Sequence, residues 1–350
     1  MRNAQLTGAL VFFCVSVYAA SCFAVEVASV STLKNAINSA NAGGDKNIVI
    51  RSGVYNLGGV YLRLARDGIT VSGKTGKRED VVLDGHYISE EIFQVVASNI
   101  TIKDLTLKRA YYHPIHVSPV SSDVVGTDIN NVHIIDPGQQ AIKINQDAAK
   151  NHSVNYGKIR NSRIELTSSG RTKVWEVNGS CYTGGIDAHH ARGWEVPDNV
   201  IKDFWCLDDL SEHGIHFWSE SRDTLVARNT IINCDRGIGF GLGGSGHVGG
   251  IIRNNMIYHG AGHAFSDVGI GLENASHTQV YNNSIFHIHS YPNAIEYRFT
   301  DTAGGFIRNN LTNRAIASRD GGAAAVSHNV TAAKPSWFRN YATGDLHLSY

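Results

Sequence analysis

From Asn47 to the C-terminus, apolar and polar residues alternate in short runs broken by Gly, Asn and Asp. Period-two alternation marks strands with one face buried and the other open. Five segments share one pattern: Val196-x-x-Asn199-x-Ile201, Val226-x-x-Asn229-x-Ile231, Ile252-x-x-Asn255-x-Ile257, Val280-x-x-Asn283-x-Ile285 and Ile307-x-x-Asn310-x-Thr312. Their Asn residues recur every 26 to 30 positions. A recurrence of that length carried by strands predicts a β-solenoid, all-β in class. Asn suits it twice over: it tolerates left-handed backbone at a sharp bend, and stacked amides can bond from coil to coil. Weaker copies surround Asn99, Asn131 and Asn161. Ahead of the repeat, Val27, Val30, Leu33, Ala36, Ile37 and Ala40 recur at helical spacing. This predicts one helix over residues 26–41, capped by Ser31 or Thr32, inside an N-terminal cap spanning about 26–45 that covers the first open edge of the solenoid.

A second series runs in phase with the first. Ile115, Ile142, Ile186, Ile215, Ile238, Ile270 and Ile295 each open a short apolar-polar-apolar strand, so they are expected to stack as one interior column. The outward column beside them reads His116, Lys143, Asp187, His216, Gly239, Gly271, Glu296. Two residues further along each strand it reads Ser118, Asn145, His189, Trp218, Gly241, Glu273, Arg298. Neighbouring strands lie about 4.8 Å apart, which puts Lys143, Asp187 and His216 within reach of one another. The interval from 142 to 186 exceeds one coil. Its excess, residues 168–183 with Arg171, Lys173, Trp175, Glu176 and Tyr182, is expected to loop out beside the ladder.

A single outward His is ordinary surface, and an exterior strand must be polar somewhere. The concentration of His, Lys, Asp and Trp on central rungs, followed by Gly239 and Gly241, distinguishes this stretch. The glycines either open a trough or serve packing.

Composition narrows the partners. Of 350 residues 31 are basic and 31 acidic, so no global field points to nucleic acid, and any anion binding must be local. Glycine at 36 with 6 prolines fits many tight turns. Residues 1–24 have the layout of a signal peptide, with Arg2, an apolar run and a small-residue end. Export to the periplasm or medium is therefore expected, with a lipoprotein site at Cys22 as the alternative. Residues 25–350 form the expected β-helix domain, without a membrane span and monomeric. Cys181, Cys206 and Cys234 remain after the signal. Cys181 and Cys206, at either end of one coil, are the expected disulfide.

An extended groove with aromatic platforms suits a polysaccharide, with sugars stacked on Trp218 or Trp175 and hydroxyls bonded to polar rungs. On a uronate, a cation neutralises the carboxylate and a base takes the C5 proton. Lys143, Arg192, Arg222 or Arg236 would supply the cation, and His189 or His216 the base. His116, Asn145 and His190 are further candidates for sugar contacts.

The repeat resembles the right-handed parallel β-helix proteins of the pectate lyase-like superfamily over about residues 45–345. Within it, Gly185-Ile186-Asp187-Ala188-His189-His190, followed one coil later by His213-Gly214-Ile215, is similar to the Gly-Ile-Asp-Pro-His-Asp and His-Gly-Ile segments of periplasmic alginate C5-epimerases. The resemblance implies that Asp187 and His189 match the Asp and the base of those enzymes. Ala188 replaces Pro, His190 replaces the last Asp, and Ser219 stands where their carboxylate-neutralising Arg would be. It implies a lyase acting on an acidic polysaccharide, with an epimerase as the second reading. Asp208-Asp209 followed by His213-Gly214 leaves a glycoside hydrolase open, and a non-catalytic binding solenoid would need the groove alone. No cofactor is expected. Calcium would serve some lyases of this class, but no cluster of Asp and Glu forms a site for it.

Overall fold

The computed structural model describes residues 24–146 and 152–349, so the expected signal segment lies outside the described residues apart from Ala24. Three parallel sheets wind about one apolar interior. The ten-stranded sheet runs from Leu62–Leu64 through Gln140–Ile144, Gly184–His189, His213–Trp218 and Arg236–Phe240 to Ala315–Arg319. A six-stranded sheet of two-residue strands runs from Val124–Val125 to Ala275–Ser276. The twenty-stranded sheet takes two strands from most coils, such as Glu195–Pro197 and Val200–Lys202, and bends between them.

The isoleucine column is continuous. Ile115 pairs with Ile142, Ile142 with Ile186, Ile186 with Ile215, and so on to Ile295, and all seven are fully buried. Phe93 and Ile316 extend it by a coil at each end. Burying each such side chain is worth about 1.5–3 kcal/mol, so a slip of one residue, which would turn the whole column outward, is strongly opposed.

At the bend of the large sheet, Asn199, Asn229, Asn255, Asn283, Asn310 and Asn329 stack. Each side-chain N–H donates to the next Oδ1 at 2.9–3.0 Å. The left-handed backbone belongs to the residue before: Asp198, Arg228, Asn254, Asn282 and Asn309 have φ of 55 to 63°. The amide and the bend are thus divided between neighbours. In the earlier coils Asn99, Asn131 and Asn161 are themselves the left-handed residues, and Ser162 takes the ladder position.

The N-terminal helix is Val30–Asn41, shorter than expected because Val25–Val27 pairs as a strand with Asn47–Ile50. Its cap is Ser29, with Thr32 completing a reciprocal capping box, and its buried face is Leu33, Ala36, Ile37 and Ala40. The excess after Gln140–Ile144 is not a plain loop. It contains a second helix, Ser168–Asn178, capped by Thr167 and stopped by left-handed Gly179. Gly170 is needed there, since a Cβ would meet the Asp136 carboxylate at 2.3 Å. A disulfide joins Cys181 to Cys206 as expected, tying the end of this insertion to the following coil, and Cys234 is a buried free thiol. At the C-terminus, Phe338–Asn340 and Asp345–Leu348 pair antiparallel, and Phe338 and Leu346 pack against Tyr258 and Phe286.

Candidate active site

The polar rungs of the ten-stranded sheet meet at Asp187. Register sets Lys143 beside Asp187, Asp187 beside His216, and His189 beside Trp218. Lys143 Nζ donates to Asp187 Oδ2 and lies 3.2 Å from His189 Nε2. His189 Nε2 is 3.2 Å from Asp187 Oδ2. Trp218 Nε1 donates to Asp187 Oδ1 at 2.8 Å, and His216 Nδ1 approaches the same oxygen at 3.5 Å, long for a hydrogen bond. His216 Nε2 donates to the Gly241 carbonyl at 3.2 Å.

Asp187 is 4 % exposed. Burial alone would raise its carboxyl, but the hydrogen bonds and charges from His189, His216 and Lys143 outweigh it and hold Asp187 well below the usual carboxylate range. An ionised Asp187 can accept the Nε2 hydrogen of His189, and in that tautomer Nδ1 carries the lone pair. His189 keeps a quarter of its side-chain surface in solvent, at 26 %, whereas His216 keeps none. A partly exposed imidazole backed by a buried carboxylate can take a proton and have the resulting charge stabilised.

Trp218 departs from expectation. Its indole is held by Asp187, stacked parallel on His216 at 5.2 Å, and met edge-on by His189 at 4.5 Å. It buttresses the carboxylate, and one of its faces lies against the His216 imidazole. His116 lies in register with Lys143, and its Nδ1 bonds Glu91. Asn145 follows the same strand as Lys143, with a buried Oδ1 that has no partner.

The structure does not bring in the remaining candidates. Ser219 and Glu220 are both left-handed, which turns the chain before Ser221–Arg222, so Arg222 belongs to the six-stranded sheet beside Arg192 and pairs with Asp223. Arg192 lies on that same sheet. His190 is a left-handed corner residue 3.5 Å from Glu220. Trp175 is exposed on the inserted helix. Asp208 and Asp209 are exposed in an irregular segment.

The role of His213 escaped sequence reasoning. His213 fills the space that Gly239 leaves empty: a Cβ at Gly239 would meet its Nε2 at 2.5 Å. Burial, with His216 and Arg236 beside it, holds His213 well below the usual imidazole range, hence neutral. The Gly239 reading as packing device is therefore the one the structure bears out. A trough nevertheless opens next to it, a cleft of ≈ 260 Å³ lined by His213, Arg236, Gly241, Asp267, Gly271, Glu273, Glu296 and Arg298. Glu273, Glu296 and Arg298 had appeared in the outward columns, which was the available signal.

Among the described residues, one group has ligand atoms close enough for a metal ion: Glu212, His213 and His216. Two imidazole nitrogens and one carboxylate do not suit calcium, which takes six to eight oxygens. No helix among the described residues is long and apolar enough to cross a membrane.

No family model matches this sequence, and no characterised protein was found similar to it in sequence. Solved structures do match. An alginate lyase from Paenibacillus sp. str. FPU-7 superposes with TM-score 0.60 at 12% identity, covering 88% of this chain and 99% of that one. Pectate lyase Pel9A gives 0.54 at 15%, covering 89% and 81%. The A-module of the Azotobacter vinelandii mannuronan C-5 epimerase AlgE4 gives 0.52 at 16%, covering 86% and 90%. At such identities the likeness is one of fold: this chain shares the parallel β-helix fold of these structures.

Proposed function

We propose that this protein is an exported, monomeric enzyme that acts on a uronate-containing polysaccharide by abstracting the C5 proton, as a polysaccharide lyase. The observation that carries the reading is a partly exposed His189 seated on a buried, ionised Asp187, with Lys143 beside both. In this reading His189 Nδ1 takes the C5 proton. The C–H electron pair becomes the C4–C5 double bond, the C4–O bond breaks, and the imidazolium returns a proton to the departing oxygen. Asp187 orients the ring and stabilises its charge, and Lys143 offsets the negative charge that builds on the substrate carboxylate. His216 and Trp218 hold Asp187 in place, while His116 and Asn145 offer bonds to sugar hydroxyls.

A second reading, uronate C5-epimerisation, is favoured by the likeness of residues 185–190 to epimerase segments. It shares the abstraction step and differs in returning the proton to C5. Incubation of the mature protein with a panel of uronate polysaccharides separates the outcomes. Ultraviolet absorbance of an unsaturated uronate marks the lyase, and inverted C5 centres by NMR without that absorbance mark the epimerase. New reducing ends with neither would replace both readings by hydrolysis.

A further inference from the structure

The trough beside the catalytic cluster has a charge pattern ill suited to a uronate. Each of its cations already has a carboxylate partner. Arg236 Nε lies 3.4 Å from Asp267, Arg298 contacts Glu273 at 3.2 Å and Asp320 at 2.8 Å, and Arg319 holds Glu296 at 2.9 Å. Of the residues that line it, three are acids, Asp267, Glu273 and Glu296, and two are bases, Arg236 and Arg298. Glu296 is 2 % exposed and is bonded further by the Tyr291 hydroxyl at 2.6 Å and the Asn293 amide at 2.7 Å, so it is built in as a carboxylate. Gly243 N–H likewise donates to Glu273 at 2.7 Å. His213, 5 % exposed, lines the same space with a buried Nδ1 that has no protein partner. Gly241 and Gly271 keep side chains off its floor.

A carboxylate placed here would lose water, face three fixed carboxylates and find no spare cation, which is discrimination by repulsion. Sugar hydroxyls, by contrast, would find carboxylate acceptors in Asp267 and Glu273. We propose that this trough seats an uncharged sugar, so that the substrate is a heteropolysaccharide in which neutral residues accompany the uronate on which His189 acts. The inference rests on the lyase reading for the identity of the adjacent residue, but it concerns binding and can fail separately.

The test measures binding calorimetrically, using the His189→Ala variant to prevent turnover. Two size-matched oligosaccharides are compared, one a homopolyuronate and one alternating uronate with a neutral hexose. The alternating chain should bind at least about tenfold more tightly. Equal or tighter binding of the homopolyuronate, or binding of neither, overturns the proposal. Asp267→Asn releases Arg236 and should narrow the preference about tenfold. Glu273→Gln does the same for Arg298 and serves if the first variant fails to fold by its melting curve. An unchanged preference in folded variants removes the charge argument. If the native enzyme turns over no uronate polymer while the alternating chain still binds preferentially, the lyase reading falls and the trough assignment stands.

Discussion

Two stacks of polar side chains run along this solenoid, and they are built on opposite rules. At the bend of the large sheet, identical Asn residues repeat, and each amide donates to the next Asn and to a backbone carbonyl of the preceding coil, as Asn229 does to Asn255 at 3.0 Å and Val196 at 2.7 Å. On the ten-stranded sheet the outward residue changes in kind along the column, through His116, Lys143, Asp187, His216, Gly239, Gly271 and Glu296. There, buried nitrogens of His116, His213 and His216 and the Asn145 carbonyl oxygen lack protein partners. A ladder with its valences closed holds coils together, whereas one with valences left open retains hydrogen-bonding capacity for something else. The polar stack that is unsatisfied and irregular is the one to connect with chemistry.

Substitutions can break that contrast from either side. The largest effect is expected at His189. Its change to Ala should lower the rate on the substrate found by the panel about 100- to 10,000-fold, while melting temperature and polysaccharide affinity stay near the parental values. Retention of more than about a tenth of the rate would remove His189 as base.

Asn229→Ala should act the other way. It leaves Asn199 without its acceptor and Val196 without its donor inside the stack. The expected loss is about 2–4 kcal/mol in denaturant unfolding, with turnover per folded molecule unchanged. A loss below about 0.5 kcal/mol would mean that water replaces the amide.

Acid tests the buried imidazoles as a group. Burial pushes His113 and His247 down to about 3, with His116 adding to the effect on His113. In the unfolded chain the same rings titrate near about 6.5. Because the folded value is the depressed one, their contribution is complete above about 6.5 and declines as pH falls from there towards 3, by about 1.4 kcal/mol per pH unit for each ring. Denaturation curves at successive pH values below neutrality should show this slope. A flat profile over that range would mean that the two rings are not buried as neutral groups.

The smallest change is Trp218→Phe, which keeps a ring beside His216 but removes the N–H donated to Asp187. A bond to a charged acceptor is worth about 1.5–3 kcal/mol, so a fall in kcat of about tenfold with little change in KM is expected. A rise in KM alone would return Trp218 to the role of sugar platform.

Much of this architecture was legible because its signals are periodic. Ile115 to Ile295 are spaced by whole coils, and a period-two strand has only two faces, so the inward column and the outward rungs followed together. Asp187, His189, His216 and Lys143 were legible for the same reason, as neighbours in register. The inserted helix was not, since only Gly170 and Val174 of Ser168–Asn178 are buried and the segment shows little amphipathic period. Arg222 was misplaced because Ser219 and Glu220 take up left-handed backbone, uncommon for such residues, and swing it onto another sheet.

Strand spacing and alternation are local properties, and they alone determined which residues point outward on which coil. What they could not reach is the direction of a long side chain once outside. Trp218 turns its N–H onto Asp187, His213 leans over Gly239, and Arg236, Arg298 and Arg319 are each drawn to a carboxylate, Asp267, Glu273 or Glu296. Those choices are settled between residues on different coils or loops, where burial makes an unpaired charge or N–H costly. The tertiary structure therefore decided which cations remain free, and with that what the trough can hold.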